Sequence, residues 1–166
     1  YDKVEWGFLE KVMIQLGFEQ GFVNLINTCI RTVMYRLKIN GVCTDVVIPE
    51  RGLRQGNPIS PYLFLLCAKG LSSFLNHAEA TRQIKGIQLA AEAPSVSHLL
   101  FADDSLLLIE ATQESIQVIN HILQMYEWGS GQVINREKSA VQFSKNTPSR
   151  KKQNLLGLLG LRSESL

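Results

Sequence analysis

No stretch of about 18 consecutive apolar residues occurs in this sequence, so nothing in it reads as a membrane-spanning helix. Cysteine is scarce: Cys29, Cys43 and Cys67 are odd in number and far apart. That spacing argues against a disulfide framework or a zinc site and favours reduced thiols in an intracellular protein. His77, His98 and His121 show no metal-ligand spacing, and each reads as a surface or hydrogen-bond-satisfied residue. A strong charge of either sign is missing too; the net charge of +2 is too small to argue for nucleic acid by itself. There is no internal repeat, low-complexity tract or linker, so one domain, or part of one, is expected. Neither an initiator methionine nor a signal peptide stands at the start, and the expectation is that the true start lies upstream.

What is present suits a folded core: 166 residues, 45% hydrophobic and 19% charged. The chain is organised around Phe101-Ala102-Asp103-Asp104, with short apolar runs at 98–102 and 106–109 on either side. Runs that short and apolar read as buried strands, with both carboxylates on the turn between them. Two unit charges about 4 Å apart repel by roughly 4 kcal/mol at an effective dielectric near 20. Water, a basic partner, a shared proton or a divalent cation must offset that repulsion. Magnesium held by one or two carboxylates and substrate phosphates is one such arrangement; ordinary turn chemistry is the other reading.

Along the chain, Asp2 with Glu5 forms a capping-box pattern ahead of a helix whose face carries Val4, Phe8, Leu9, Val12, Met13 and Leu16, stopped by Gly17. A second helix follows, with Phe22, Leu25, Ile26, Cys29 and Ile30 as its expected apolar stripe. The period then switches to two around Asn40-Gly41, a hairpin signal that sets Ile39 opposite Val42, Leu37 opposite Thr44 and Tyr35 opposite Val46. Arg36 and Lys38 share the other face, either as a solvated face or as a phosphate contact. Residues 51–61 hold two glycines, two prolines and two arginines, a shaped basic loop. It leads into a core helix capped by Ser60, with Pro61 in its first position. With Arg51 and Arg54 beside that helix N-terminus, the loop is either a phosphate-binding platform or a structural connection. Residues 84–89 read as a strand, Thr112 as a helix cap, 132–134 and 140–143 as short strands, and the leucine-rich stretch from Arg150 as an amphipathic helix. Together these give an α+β layout, helices on one face of an antiparallel sheet.

Three stretches in order carry a family resemblance: Tyr1-Asp2-Lys3-Val4-Glu5-Trp6, then Gly52-Leu53-Arg54-Gln55-Gly56-Asn57-Pro58-Ile59-Ser60-Pro61-Tyr62-Leu63-Phe64, then Phe101-Ala102-Asp103-Asp104. They resemble a reverse transcriptase, most closely that of non-LTR (LINE-type) retrotransposons common in plants. Ser130-Gly131-Gln132-Val133-Ile134-Asn135 with Lys138-Ser139 is similar to a fourth stretch of that family. The resemblance implies a polymerase palm-like antiparallel sheet and two-metal nucleotidyl transfer with Mg2+. Its implied partners are an RNA template, a DNA primer and deoxynucleotide triphosphates, with no membrane, and it implies a nuclear location. It assigns Asp103 and Asp104 to the metal-binding pair and Tyr1 to the aromatic gate against a ribose 2′-OH. Gly52, Gln55 and Gly56, with Arg54 between them, become the loop against template and nascent base pair. Lys138 becomes the general acid near the leaving pyrophosphate, and Asp2 and Trp6 become a cap and a core residue. Asn57 stands where the family usually has an aspartate.

By the same resemblance, the family's first metal-binding aspartate falls just before the position of Tyr1. The fingers would precede it, and the primer grip and thumb would follow Leu166. The expectation is therefore a partial reverse transcriptase domain over 1–166, inactive and poorly soluble by itself. A group II intron maturase palm is one rival. A non-catalytic, polymerase-derived RNA-binding protein or a degenerate element fragment is another.

Overall fold

The computed structural model describes residues 1–161; residues 162–166 of the expected domain lie outside the described ones. Among the described residues, five helices and two hairpins follow in the order α1 (Trp6–Gln15), α2 (Gln20–Arg31), β1 (Lys38–Ile39), β2 (Val42–Cys43), α3 (Ser60–Ala80), β3 (His98–Phe101), β4 (Asp104–Leu107), α4 (Gln113–Ser130) and α5 (Ser149–Leu159). The chain divides into two compact units: Tyr1–Cys67 with Gly129–Gly131, and Ala68–Trp128 with the residues from Gln132 onward. The composition of elements is mixed helix and small antiparallel sheet. The single sheet expected from the sequence is replaced, among the described residues, by two separate two-stranded sheets with isolated bridges besides.

In the first unit, residues 1–5 form a strap that backbone hydrogen bonds hold from two sides. Gly52 N–H donates to the Val4 carbonyl and Leu53 N–H to the Tyr1 carbonyl, both at 2.8 Å; Glu5 N–H donates to the Ser130 carbonyl at 2.9 Å. The Trp6 indole adds a bond to the Gly52 carbonyl at 2.7 Å. Glu5 is the N-cap of α1 and its side chain makes no cap bond; its carboxylate instead meets Arg51 at 3.3 Å. The expected capping box with Asp2 is therefore absent, because the strap's extended backbone is committed to the 52–53 loop. Gly52 has φ +90°, and a Cβ there would lie 2.6 Å from the Asp2 carbonyl oxygen. On the other flank, a Cβ at Gly131 would lie 2.3 Å from the Lys3 carbonyl oxygen.

Behind the strap, Val4, Leu9, Met13 and Val23 are fully buried, packed with Ile26, Leu53, Leu63 and Cys67. Each such aliphatic side chain contributes roughly 1.5–3 kcal/mol. Helices of about three turns are marginal alone, so this packing and not propensity holds α1 and α2. The buried stripe of α2 is Val23, Ile26 and Ile30; the expected Phe22, Leu25 and Cys29 are exposed. Two apolar stripes run side by side on this helix with the same spacing, and only the tertiary contact selects between them. Gly17, at φ +84°, ends α1 as expected.

The β1–β2 hairpin turns at Asn40-Gly41 and pairs Ile39 with Val42, as its sequence implies. Leu37 faces Thr44, but Tyr35 pairs with Val47 instead of Val46. One extra residue has entered the returning strand, a β-bulge. Thr44 accounts for it: its hydroxyl accepts from Leu37 N–H at 3.0 Å and donates to the Asp45 carbonyl at 3.0 Å, in place of regular ladder bonds.

In the second unit, Leu71, Leu75, Ala78, Ile84, Ile116, Ile119, Ile122, Tyr126 and Leu155 are the buried apolar residues. Thr112 caps α4 through a 3.1 Å bond from Ser115 N–H. The carbonyls at the end of α5 are taken up by side chains, Leu158 by Asn120 at 2.7 Å and Leu159 by Arg136. Residues 84–89 contribute only bridges at Gly86 and Ile87. Residues 132–134 and 140–143 are not strands. Between them the Asn135 side chain accepts from the N–H groups of Glu137 and Lys138 at 3.2 Å and folds the chain into a turn.

Two outcomes are expected. Gly52→Ala should destabilise the first unit by at least about 1–3 kcal/mol from backbone strain alone, read as a lower urea midpoint, with the Cβ overlap adding to it. Burial pushes the Cys67 thiol up to about 12, while Cys29 and Cys43 are exposed. Iodoacetamide at neutral pH should therefore alkylate Cys29 and Cys43 and spare Cys67 until the protein unfolds, as peptide mass mapping would show.

Candidate active site

β3 and β4 form a tight hairpin with Phe101 opposite Asp104, Leu100 opposite Ser105, Leu99 opposite Leu106 and His98 opposite Leu107. Ala102 and Asp103 are the two turn residues. Ala102 has φ +52° and Asp103 does not share the positive sign, the sign pattern of a type II′ turn. A two-residue turn of this kind carries Asp103 at the tip and Asp104 on the first paired position beside it.

Both carboxylates are exposed and have no hydrogen-bond or ion-pair partner among the described residues. No basic side chain among the described residues offsets their mutual repulsion. The flanking strands are not buried as expected: Leu99, Phe101 and Leu106 are 55%, 82% and 53% exposed. Phe101 and Asp104 face one another on the same side as the Leu99–Leu106 pair, so this side is an open apolar surface ending in a carboxylate. A two-stranded sheet covered on one side only leaves such a face.

Among the described residues no group of three or more His, Cys, Asp or Glu could hold a metal ion. The donor set of Asp103 and Asp104 nevertheless fits magnesium. It consists of hard carboxylate oxygens, adjacent and solvent-accessible, and magnesium usually keeps waters and substrate phosphates in its remaining positions.

The basic loop lies in the first unit. Asn57 N–H donates to the Arg54 carbonyl at 3.4 Å, closing a four-residue turn with Gly56 third in it at φ +80°, as a type II turn requires. A Cβ at Gly56 would meet nothing, so its need for glycine is conformational, whereas at Gly52 it is also steric. The Asn57 side chain accepts from Ile59 N–H at 3.2 Å at the start of α3. It makes there the Asx turn that an aspartate would make, without the charge, while Ser60 is buried as the first residue of α3. Gly52, Arg54 and Gln55 line an open cleft of about 390 Å3 with Asp2, Tyr35 and Arg51. The Arg54 guanidinium sits 6.0 Å from the centre of the Tyr35 ring, within cation–π range. The Tyr1 ring stacks on Phe64 of α3, centroids 4.7 Å apart and planes 20° apart.

Tyr1, Gly52, Arg54, Gln55 and Gly56 thus come together in the first unit. Asp103, Asp104 and Lys138 belong to the second. Lys138 is exposed on the Asn135 turn with no partner for its ammonium among the described residues. His98, read from sequence as a bland residue, opens β3 with both ring nitrogens hydrogen-bonded. Its place in period-two register, just before the carboxylate turn, was the available signal.

Residues 1–160 match the family model described as reverse transcriptase (RNA-dependent DNA polymerase), and the chain belongs to this family. It is similar to the retrovirus-related Pol polyprotein from type-1 retrotransposable element R2 of Popillia japonica, 27% identical over 142 residues, covering 84% of this chain and 22% of that protein. It is also similar to an uncharacterized mitochondrial protein of Arabidopsis thaliana, 48% identical over 67 residues, covering 40% of this chain and 55% of that protein. The chain therefore spans about half the length of one curated relative and about a fifth of the other.

Relieving the turn is directly testable. Alanine in the left-handed region costs about 1–2 kcal/mol relative to glycine, part of which glycine returns as unfolded-state entropy. Ala102→Gly should raise stability in urea by up to about 1 kcal/mol. A loss of stability would contradict the turn geometry.

Proposed function

We propose that this chain supplies palm-like parts of an RNA-directed DNA polymerase of the non-LTR retrotransposon kind, copying an RNA template onto a DNA primer. The observation that carries the reading is the Asp103-Asp104 pair, held on a tight hairpin turn, open to solvent and without a protein partner, inside a family match that spans nearly the whole chain. Paired carboxylates left uncompensated in this way suit a cation-binding role better than a structural one.

Asp103 and Asp104 would hold Mg2+. When bound, two such ions supply charge stabilisation to the attacking and leaving oxygens of an in-line phosphoryl displacement. The hairpin would fix the backbone from which both carboxylates reach the ion. The loop with Gly52, Arg54, Gln55 and Gly56 would lie along template and nascent base pair. Gly56 leaves open backbone there, and Arg54 presents a cation held by the Tyr35 ring. Tyr1, its ring braced on Phe64, would stand against a ribose 2′-OH and favour deoxynucleotides. The Lys138 Nζ would deliver a proton to the departing pyrophosphate.

The test is primer extension by the intact protein that carries these residues, on a primed RNA template with deoxynucleotides and Mg2+. Extension is expected, with chelation abolishing it. Asp103→Asn should lower the rate on the order of 10^3-fold, since a lost metal carboxylate removes several kcal/mol of transition-state stabilisation. Undiminished extension by Asp103→Asn would overturn the assignment.

A further inference from the structure

Polar groups of α3 and β3 meet behind the hairpin in a hydrogen-bonded cluster. Ser72 and Asn76 of α3 and His98 of β3 meet there: His98 Nε2 lies 2.8 Å from the Ser72 hydroxyl, and Asn76 Nδ2 donates to that hydroxyl at 3.5 Å. His98 Nδ1 lies 3.1 Å from the hydroxyl of Ser97, a buried residue. The Glu79 carboxylate, farther along α3, stands near enough to Ser97 and His98 to feel both. Ser95 donates to the same carboxylate at 2.6 Å. A Cβ at Gly86 would fall 2.7 Å from a Glu79 carboxylate oxygen and 2.6 Å from Ser95 Oγ, so that position is kept clear for this cluster.

An ionised carboxylate only accepts, and a serine hydroxyl has one proton to give. Were Ser97 to give its proton to Glu79, it would accept from the imidazole, and the N–H would sit on Nδ1. Nε2 would then be an acceptor, and Ser72 would donate to it. This assignment makes a relay from Ser72 to His98 to Ser97 to Glu79, one of the two tautomers that the ring contacts allow.

We infer that His98 is a positioning residue for the Asp103-Asp104 hairpin, locked in its Nδ1–H tautomer by Ser72, Ser97 and Glu79 so that β3 has one register on α3. Apolar contacts alone tolerate sliding along a helix, and a one-residue slip would exchange the two faces of β3. A directional polar contact at the first residue of the strand forbids that slip and so fixes the strand that leads into the turn. Burial draws the His98 imidazole below its ordinary value, against the attraction of Glu79 and with the help of Lys69. The Ser95 and Ser97 hydroxyls, ahead of smaller contributions, draw Glu79 below the usual carboxylate range. A neutral ring facing an ionised carboxylate is the state the relay requires. The consequence for metal binding rests on the polymerase reading; the lock itself does not.

The experiment uses the full chain, labelled with nitrogen-15. Long-range proton–nitrogen spectra of the His98 ring should show a protonated Nδ1 and an unprotonated Nε2 at neutral pH. The opposite tautomer would overturn the relay. Glu79→Gln, which can donate as well as accept, should give a mixture of tautomers. His98→Leu should speed exchange of the hairpin amides about tenfold, the weight of one or two net hydrogen bonds, and leave the Leu9 amide unchanged. His98→Gln, which can still accept from Ser72, should restore part of the protection. If His98→Leu fails to fold, Ser72→Ala takes its place with a smaller effect in the same direction. Mn2+ titration should broaden the Asp103 and Asp104 resonances, and the Leu variant should need several-fold more Mn2+. Hairpin exchange that ignores His98→Leu and Ser72→Ala would refute the positioning role. Exchange that responds while wild type shows no Mn2+ broadening at the pair would uphold the lock and refute the metal reading.

Discussion

The interaction on which most else depends is the approach of backbone to backbone at places where a side chain would not fit. At Gly52 and Gly131 two loops close on residues 1–5 until a Cβ would overlap a carbonyl oxygen. That closeness lets Gly52, Leu53 and Glu5 exchange backbone hydrogen bonds across the strap, so its peptide groups are paired although it belongs to no sheet. The strap buries Val4, sets the start of α1 at Trp6 and brings the indole onto the Gly52 carbonyl. The loop with Arg54 and Gln55 and the ring of Tyr1 take their positions from it. In the second unit Gly86 does comparable work against the Glu79 carboxylate.

The two hairpins divide the labour differently. The β1–β2 hairpin is exposed on both strands and bulged at Thr44, with no described group that uses it chemically. The β3–β4 hairpin is half covered: one side carries His98 into a polar relay, and the other holds Leu99, Phe101 and Leu106 open with Asp104 at the end. The cation role proposed for Asp103 and Asp104 would need this contrast, a fixed strand behind and free oxygen atoms in front.

Features decided by neighbours in the chain were legible in the sequence. Asn40-Gly41 turned a hairpin, Gly17 ended a helix, Thr112 capped one, and Phe101-Ala102-Asp103-Asp104 made a tight turn with Asp103 on it and Asp104 on the first pair beside it. Features decided across the chain were not. The Asp2–Glu5 pattern is a capping box only if the backbone ahead of α1 is free, and bonds to residues 52, 53 and 130 remove that freedom. Phe22, Leu25 and Cys29 have the same periodicity as Val23, Ile26 and Ile30, so period alone could not choose the buried stripe. Tyr35 slipped by one residue because the hydroxyl of Thr44 displaced a ladder bond. Of the site residues, the family resemblance supplied the roles and the sequence pattern supplied only the turn; the order of hydrogen bonds around His98 required coordinates.

The central claim is that Asp103 and Asp104 take a divalent cation. Fe2+ substituted for Mg2+, with ascorbate and peroxide, cleaves a polypeptide next to the bound ion. The account predicts strand scission concentrated around the 101–105 turn, competed away by excess Mg2+ and absent from Asp103→Asn. Cleavage scattered along the chain, or concentrated elsewhere and indifferent to Asp103→Asn, would contradict it.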